Sequence, residues 1–375
     1  MIHPPIPSRA PGQSSVRGLQ TAPMDTVRIA FIGLGERGLT ALRLMLLVPH
    51  ARITVICDNF QERVTTALNA TDLNAAEVKC FSGANGYQQA CAADDVDLVY
   101  ICTDWLSHAS VAVAAMRVGK HVAVEVPAAL TLDDLWLLVD TSEQCRRHCT
   151  LLENCCYDHE VQQAIRSIQQ HEIGDIVHAE GCYYHELKGR WSPWRLDINR
   201  RQRGDLYPTH ELGPLCMALD INRTDRLQTL VCMDSVSHMG RRRYEEVMGE
   251  QVKDFQNGDH TTTLIRTALG RTLVLRHDVM TKQPYSRHLR FIGTQGAIDT
   301  GRDTGDDYEQ ICSSFLSAHD PMTYEMNRRL VECLRLGLPL DIDVYDLATW
   351  CSVIPLSRLS VEAGFEPVAI PDFMR

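Results

Sequence analysis

Residues 27–38 read VRIAFIGLGERG. The first six form a short apolar run of the kind that makes a buried strand, and the pattern that follows is helical to about Leu47. Between the two lie Gly33, Gly35 and Gly38, in the spacing G-x-G-x-x-G. Glycines at these positions allow a tight turn and let the backbone approach a pyrophosphate, which the helix N-terminus attracts. This stretch therefore predicts a dinucleotide-binding strand and helix.

An acidic residue ends the next strand. Asp58 follows the apolar run 53–57 and lies 58 minus 33, or 25, positions after the first glycine. A carboxylate there accepts hydrogen bonds from the adenosine ribose and repels a 2′-phosphate, so the pattern predicts NAD rather than NADP. An α/β fold whose crevice holds no cofactor is the alternative, because the glycine spacing alone also arises by chance.

The rest of the chain indicates two kinds of domain. Strand and helix alternate up to about Asn154, and strands joined by turns dominate after it. We predict an α/β protein with an N-terminal Rossmann doubly wound parallel sheet and a C-terminal α+β domain that has a large, mostly antiparallel open sheet. The expected units are a Pro-rich arm (1–24), an NAD-binding domain (25–154), a substrate domain (155–340) and a helical tail (341–375) that packs back on the Rossmann domain. The Arg- and Trp-rich stretch 188–203 is expected to be a loop.

The N-terminal arm has no targeting pattern. It carries prolines among Ser, Gln and Arg and lacks the apolar block of a secretory signal, so we expect a cytoplasmic protein. No stretch of the sequence has the roughly 18 to 20 apolar residues that a membrane span needs. An extended arm of this composition is expected either to be disordered or to lie across a neighbouring subunit.

Charge and cysteine spacing exclude several functions. The formal charge is 37 minus 48, or −11, which disfavours nucleic acid and anionic membranes as partners and favours a small molecule. The 14 cysteines include no C-x-x-C pair, which excludes a zinc ribbon and a redox dithiol. His171, His185 and His210 each precede a glutamate, but none has a second histidine four residues on, so the metalloprotease motif fails and we expect no metal.

Polar residues gather where the fourth and fifth strands end. Residues 102–108 read CTDWLSH and residues 125–127 read EVP, at the edge where an open parallel sheet binds its ligand. Here the chain resembles the Gfo/Idh/MocA oxidoreductase superfamily, which pairs a Rossmann domain with an open-sheet domain. Most of its members carry Glu-Lys-Pro where this chain has Glu125-Val126-Pro127, and the lysine relays protons in the dehydrogenases. Its absence argues against a simple sugar dehydrogenase.

A closer resemblance covers nearly the whole chain, from Gln20 to Arg375. It rests on the strings QTAPMD (20–25), EVPAA (125–129), LENCCYD (152–158), KDFQNGD (253–259) and GLPLDIDVYD (337–346). By these strings the chain is similar to the NAD-dependent glycoside hydrolase family 109, the α-N-acetylgalactosaminidases. In that family a valine after the glutamate is usual.

The resemblance implies a set of cofactor residues and a way of using the cofactor. NAD is expected to be bound tightly and recycled in each turnover. Besides the three glycines, the positions at which the family binds NAD fall on Glu36, Arg37, Asp58, Trp105, His108, Glu125, Val126 and Asn154.

The resemblance also implies substrate and catalytic residues. The sugar is expected at Tyr183, Arg195, Tyr207, Pro208, Thr209, His210 and Tyr285. His210 is assigned as the base for the carbon-3 hydroxyl, and Tyr183 as the base for carbon 2, provided that Arg195 or His185 acidifies its phenol. His319 is the expected acid and base at the glycosidic oxygen. Residues 317–321 read SAHDP where the family's mobile loop is rich in glycine.

The implied reaction begins with transient oxidation at carbon 3 of the sugar. Deprotonation at carbon 2, elimination of the aglycone, addition of water and re-reduction complete the cycle, with a small glycoside or glycan as the partner molecule. Two alternatives stay open at this point: an NAD-dependent sugar dehydrogenase, and a non-enzymatic protein that binds NAD or a sugar. A homo-oligomer, either dimer or tetramer, is expected.

Overall fold

A computed structural model describes residues 1–187, 189–300 and 320–375. The first of its two sheets has six parallel strands in the order β3-β2-β1-β4-β5-β6. Their bounds are β1 Val27–Ile32, β2 Ala51–Asp58, β3 Lys79–Ser82, β4 Leu98–Ile101, β5 His121–Val124 and β6 Cys149–Leu151. The connecting helices are α1 Glu36–Met45, α2 Gln61–Asn69, α3 Gly86–Ala92, α4 His108–Arg117 and α5 Leu132–Cys145.

This sheet confirms the predicted doubly wound arrangement. The chain builds β2 and β3 on one side of β1 and then returns to place β4 on the other side. Every residue of β4 and β5 is buried, as expected for strands that carry helices on both faces. The strand order therefore reverses between β1 and β4, and a ligand crevice is expected at their carboxyl ends.

The second sheet confirms the predicted open, mostly antiparallel architecture. Its seven strands have the order β12-β11-β7-β10-β9-β8-β13, and only the β7–β10 pair among them is parallel. The strands are β7 Ile176–Tyr184, β8 Leu227–Asp234, β9 Thr261–Thr267, β10 Thr272–Asp278, β11 Leu289–Gly293, β12 Ala297–Thr300 and β13 Val368–Ala369. A 3-10 helix at Asn154–Tyr157 and helix α6, His159–Gln169, lead into it, and the helices within the unit are α7 Pro193–Arg201, α8 Thr209–Ala218 and α9 Met239–Met248.

Helix α7 lies in the stretch that was expected to be a loop, so that prediction was wrong. The helix has Pro193 in its first turn, where a proline has no hydrogen bond to lose, and Arg200 and Arg201 in its last turn, where cations favour the helix dipole. Because α7 is mostly polar, its sequence lacks the apolar periodicity that predicts a helix. Only Leu196, Ile198 and Asn199 of the helix are buried.

The C-terminal helices connect the two sheets. Helix α10, Pro321–Leu336, falls in the range expected for the substrate domain, yet it packs on α1 and on the 3-10 helix. Helix α11, Val344–Glu362, contacts α5 of the first unit as well as β8 of the second, and β13 then pairs with β8. The tail thus packs on both units and completes the edge of the second sheet.

The N-terminal arm is ordered and packs against its own chain. Arg9 forms a bidentate pair with Glu143, whose side chain is fully buried, and Gln13 donates to the same carboxylate. Tyr345 also donates to Glu143 and accepts from the backbone N–H of Val16. The arm therefore fastens α5 to α11.

Candidate active site

A cavity of about 620 Å³ lies between the two sheets. One wall consists of the glycine loop and the ends of β2, β4 and β5, and the other consists of residues from β7, α7 and the start of α8. Sequence-predicted residues that line it are Gly33, Gly35, Glu36, Arg37, Gly38, Asp58, Trp105, His108, Glu125, Val126, Asn154, Tyr183, Arg195, Tyr207, His210 and Tyr285. The two groups of predicted residues therefore share one cavity.

The three glycines meet different needs. Gly33 has φ +93°, and a Cβ there would lie 2.5 Å from the backbone of Cys102. A Cβ on Gly38 would lie 2.0 Å from the carbonyl oxygen of Gly33, so both glycines are required for packing. Gly35 is different, because a Cβ there would meet no atom closer than the Arg63 guanidinium at 4.0 Å. The space in front of Gly35 and the first turn of α1 fits a pyrophosphate.

Asp58 holds the glycine loop from the end of β2. Its Oδ2 accepts from the backbone N–H of Leu34 at 2.7 Å, and its Oδ1 accepts from that of Phe60 at 3.0 Å. The Arg63 guanidinium lies 3.6 Å from Oδ1. The carboxylate is thus fixed at the edge of the cavity, where a ribose hydroxyl would bind.

Arg37 and Glu125 form an ion pair below the loop. Arg37 Nε donates to Glu125 Oε1 at 2.7 Å, and its Nη1 lies 3.8 Å from Asp320. Burial alone would lower the pKa of Arg37, but the charge of Glu125 raises it well above its ordinary value. Val126 is buried and precedes a cis peptide bond to Pro127. It occupies the position at which the resemblance implies a lysine in most dehydrogenases of the superfamily.

His108 and Asn154 have mainly structural contacts in the described part of the chain. The ring nitrogens of His108 lie 2.8 Å and 3.0 Å from the carbonyl oxygens of Pro127 and Thr103, so the ring ties two strand ends together. Burial lowers the pKa of His108, although both carbonyl contacts favour the protonated ring. Asn154 donates to the hydroxyl of Thr323 at 3.0 Å, and this contact fixes the start of α10.

Tyr183 and His185 form a hydrogen-bonded pair on the opposite wall. The phenol oxygen of Tyr183 lies 2.8 Å from Nδ1 of His185. Burial raises the pKa of Tyr183 well above 10, and burial together with nearby cations lowers the pKa of His185 to about 3. The expectation that His185 or Arg195 acidifies the phenol was therefore wrong. The neutral phenol of Tyr183 donates its hydrogen bond to the neutral imidazole of His185.

His210 is held by a carboxylate that the sequence did not single out. Its Nδ1 lies 2.6 Å from Oε1 of Glu153, which is fully buried at the end of β6. Burial would lower the pKa of His210, but Cys155 and Glu153 raise it well above its ordinary value. Burial would likewise raise the pKa of Glu153, but His210 lowers it. The buried carboxylate of Glu153 therefore favours the protonated form of His210.

Aromatic rings connect the two walls. Trp105 stacks on Tyr207 with centroids 5.5 Å apart, and Tyr207 meets the ring of His210 edge-on at 4.9 Å. The Arg195 guanidinium lies 5.2 Å from the ring centroids of both Trp105 and Trp194. Trp105 was assigned to the cofactor, yet its ring contacts belong to the substrate wall. It therefore lies where the two binding regions meet.

Tyr285 lies beside Arg287, which the sequence analysis did not identify, and Arg287 in turn contacts Cys155. Its ring is 5.1 Å from that of His185, and the Arg287 guanidinium lies 5.8 Å from its centroid. Arg287 Nη1 also lies 3.4 Å from Sγ of Cys155, which borders the cavity. Glu153 and Cys155 flank Asn154 in the string LENCCYD, so their place after β6 was the available signal. Arg287 had no local signal.

Two predicted residues do not line the cavity in the described structure, and a third is not described. Pro208 is the N-cap of α8 and Thr209 is its first residue, so Thr209 is not the N-cap. Both are buried and neither lines the cavity, although they aim the next residue, His210, into it. His319 lies outside the described residues.

Comparison with known proteins defines the family. Residues 27–152 match the model of the oxidoreductase family with an NAD-binding Rossmann fold. Residues 188–304 and 307–375 match the model of the glycosyl hydrolase 109 C-terminal domain. A glycosyl hydrolase family 109 protein of Porphyromonas gingivalis is 42% identical, with 100% of this chain and 91% of the relative covered. The chain belongs to glycosyl hydrolase family 109.

A second family 109 relative supports the same family membership, and solved structures of inositol dehydrogenases share the fold. A protein of Bacteroides thetaiotaomicron is 41% identical, over 98% of this chain and 89% of its own length. Among solved structures, myo-inositol dehydrogenase of Corynebacterium glutamicum superposes with a TM-score of 0.73 at 15% identity, over 92% of this chain and 99% of that chain. A scyllo-inositol dehydrogenase of Lactobacillus casei, crystallised with NAD(H) and scyllo-inositol, gives 0.71 at 14% identity, over 92% and 99%. These structural likenesses show the fold.

Membership in family 109 makes the chain a glycoside hydrolase with an NAD-binding Rossmann domain. The glycine loop agrees with that cofactor, since the space in front of Gly35 is open and α1 begins behind it. Gly33 and Gly38 allow the close packing of the loop, and Asp58 accepts a hydrogen bond from its backbone.

Proposed function

We propose that this family 109 protein hydrolyses α-N-acetylgalactosaminides through transient oxidation of the sugar at carbon 3. The observation that carries the proposal is a single cavity in which the Tyr183–His185 and His210–Glu153 pairs stand opposite the glycine loop. An ordinary glycosidase instead uses two carboxylates on either side of the scissile bond. The sugar-facing wall here is formed mainly by tyrosine, histidine, tryptophan and arginine, which favours the oxidative route.

The cofactor supplies what these side chains lack. Bound NAD offers a hydride acceptor for carbon 3 and a donor for the final step, so that we expect it to stay bound and be recycled. Arg37, Glu125 and Asp58 hold the loop and strand ends on which it would lie.

We assign His210 to the carbon-3 hydroxyl. Glu153 occupies Nδ1, which leaves Nε2 as the ring nitrogen available to the substrate. Because Cys155 and Glu153 raise the pKa of His210, the ring must first release its Nε2 proton to act as the base, and the buried carboxylate then stabilises the imidazolium that re-forms when the hydroxyl proton arrives. Glu153 thereby acts as a positioning residue, because it touches His210 and does not line the cavity.

Tyr183 is the proposed group at carbon 2. A ketone at carbon 3 acidifies the carbon-2 proton, so a base of modest strength is enough to begin elimination. Since burial raises the pKa of Tyr183, the phenol serves as that base only if its own proton moves to His185 as the carbon-2 proton arrives. Nδ1 of His185 accepts the hydrogen bond of the phenol, so His185 is the group positioned to receive that proton.

The remaining groups would bind the sugar and the leaving group. Trp105, Tyr207 and Tyr285 offer flat apolar surface for a sugar face, and Arg195 brings donors to its edge. His319 stays the proposed acid at the glycosidic oxygen. Val126, in place of a lysine, removes the proton relay that a dehydrogenase needs, which favours hydrolysis over net oxidation.

One assay tests the function. Purified protein with NAD⁺ is incubated with an aryl α-N-acetylgalactosaminide, and both phenol release and NADH absorbance are followed. Phenol release over many turnovers with no growing NADH signal is expected. NADH that accumulates with substrate would instead identify a sugar dehydrogenase, and NAD binding without either signal would identify a binding protein.

We also propose that the protein is a homodimer or a tetramer built on the open face of the second sheet. On this face Val274, Leu264 and Val231 form an apolar row across three strands, on the side opposite α8. Leu264 keeps 53% of its surface exposed. A Leu264→Glu protein is expected to be monomeric by native mass measurement, whereas Leu269→Glu, in an exposed turn, is expected to keep the wild-type mass. Equal masses for all three would contradict the proposal.

Only a small molecule is expected as the ligand. In the described residues, no helix has both the length and the apolar character to cross a membrane. The net charge of −11 disfavours nucleic acid.

A further inference from the structure

Three side chains with different donor atoms converge beside the cavity. A carboxylate oxygen of Glu153, the sulfur of Cys155 and a ring nitrogen of His210 all lie within 4.8 Å of one another. Glu153 and Cys155 come from the turn after β6, and His210 comes from the first turn of α8. Packing of α8 on the 3-10 helix fixes their separation.

A second observation concerns the far oxygen of the carboxylate. Oε1 of Glu153 accepts from His210 and from the backbone N–H of Cys155. Oε2 is buried and makes no hydrogen bond of good geometry among the residues that the structure describes, although the nearby Thr209 hydroxyl favours the ionised carboxylate. A buried carboxylate oxygen without a donor is costly, so this atom has unused capacity for a positive ligand.

We propose that Glu153, Cys155 and His210 form a binding site for a thiophilic divalent cation of the Zn²⁺ type. Oxygen, sulfur and nitrogen ligands at about 2.0 to 2.3 Å are the set that zinc prefers, and three protein ligands leave a fourth position open. Cys155 and His210 both line the cavity, so that fourth position faces the substrate space. The cation displaces the protons of the thiol and of the imidazole into solvent.

The nearby charges are compatible with a dication. Glu153 and the Cys155 thiolate together carry two negative charges, which neutralise it. Arg287 lies 3.4 Å from the sulfur and would repel the cation, but Asp158 lies 3.5 Å from the same guanidinium and offsets that charge. An arginine beside a ligating sulfur also donates a hydrogen bond to it, as outer partners of metal ligands commonly do.

Such a cation would inhibit the enzyme, because it takes His210 away from the substrate. This consequence rests on the proposed role of His210, whereas the binding site itself does not. The sequence motifs predicted no metal because they test ligands close together in the chain. Here the histidine is far from the other two ligands in sequence, and the fold brings them together.

The binding test uses Co²⁺ as a probe and the NAD⁺-loaded protein. A thiolate bound to Co²⁺ absorbs in the near ultraviolet, so the wild-type protein is expected to show this band in a saturable titration. Cys155→Ser and Cys155→Ala are expected to lose the band and to bind Zn²⁺ about tenfold or more weakly by calorimetry. Cys80→Ser, which removes an exposed thiol, is expected to behave as the wild type. The unfolding temperature and NAD⁺ affinity of each variant establish that it is folded.

A band of wild-type intensity in both folded Cys155 variants would overturn the site, as would the absence of any band in the wild type. The activity test is separate. Zn²⁺ is expected to inhibit glycoside hydrolysis in competition with the substrate, and a chelator is expected to restore the rate. If the Co²⁺ band is present in a protein without glycosidase activity, the proposed function fails and the site stands.

Discussion

At the scale of single residues, the most informative pair is Glu153 and His210. The 2.6 Å contact joins a carboxylate just after β6 to a histidine in the first turn of α8, 57 positions further on (210 minus 153). The imidazole could be predicted as a site residue from the string around it. Its partner could not, because the pairing depends on how α8 packs on the 3-10 helix.

We predict that Glu153→Gln lowers kcat by about 100-fold and changes KM little. The amide keeps a hydrogen bond to Nδ1 but removes the charge that stabilises the imidazolium, and general acid and base catalysis is worth roughly 10² to 10⁴ in rate. Steady-state kinetics with the aryl glycoside measure the split between the two constants. Glu172→Gln, at an exposed turn, is the matched control and is expected to be silent. A loss confined to KM would show that Glu153 does not act through His210.

A second residue-scale prediction separates packing from cofactor binding in the glycine loop. Gly35→Ala is expected to leave the unfolding temperature nearly unchanged and to weaken NAD⁺ binding, because its Cβ points into open space. Gly33→Ala is expected to destabilise the fold by about 2 kcal/mol or more, because φ is +93° and the Cβ meets the backbone of Cys102. Calorimetric titration with NAD⁺ and thermal unfolding measure the two effects. Equal affinity in Gly35→Ala and wild type would contradict the assigned pyrophosphate position.

At the scale of elements, the N-terminal arm connects α5 to α11. Arg9 is the only side chain from the described arm that forms a bidentate ion pair with the buried Glu143. We predict that Arg9→Ala lowers the free energy of unfolding by about 3 kcal/mol, since it leaves a buried carboxylate short of its counter-ion. Chemical denaturation measures the change. Arg17→Ala, an exposed arm residue, is expected to change it by less than about 0.5 kcal/mol. Equal stability of the two variants would mean that the arm does not support the fold.

Two buried histidines near the starts of β5 and β6 are expected to lower the free energy of unfolding at acid pH. Burial lowers the pKa of His121 to about 3 and that of His148 to about 4. Both are neutral when folded, so their stabilisation is complete above the unfolded pKa of about 6.5 and is lost as the pH falls toward 4.

We therefore predict that His148→Met reduces the loss of stability between pH 7 and pH 5 by about 2 kcal/mol. Nε2 of His148 is buried without a hydrogen-bond partner in the described structure, so an apolar side chain leaves no donor unpaired. Urea unfolding at the two pH values measures the difference, and exposed His159→Met is the control. If His148→Met loses as much stability as the wild type, the buried imidazole is not the acid-sensitive group.

At the scale of the whole molecule, local signals were enough for the Rossmann domain and not for the substrate wall. Gly33, Gly35, Gly38 and Asp58 lie close together in sequence, and their backbone requirements can be read directly from it. The substrate wall is assembled from β7, α7, α8 and the segment around Tyr285, whose contacts are long-range. Helix α7 was mistaken for a loop because its polar residues give little apolar periodicity.

The two sheets together bring the groups of the proposed oxidative mechanism into one cavity. The first sheet presents the glycine loop, the second presents paired tyrosine and histidine groups, and α11 holds both sheets in contact. The family membership makes the chain a glycoside hydrolase, and the oxidative route is the one that we propose. That route requires the carbon-2 proton to leave the sugar during each turnover.

The most direct measurement is the hydrogen isotope at carbon 2 of the released sugar. The protein is allowed to hydrolyse an aryl α-N-acetylgalactosaminide in deuterated water, and the product is examined by nuclear magnetic resonance. Deuterium at carbon 2 is predicted, because the proton removed there exchanges with solvent before water adds to the alkene. A product that keeps its protium at carbon 2 would contradict the oxidative mechanism and point to direct displacement at carbon 1.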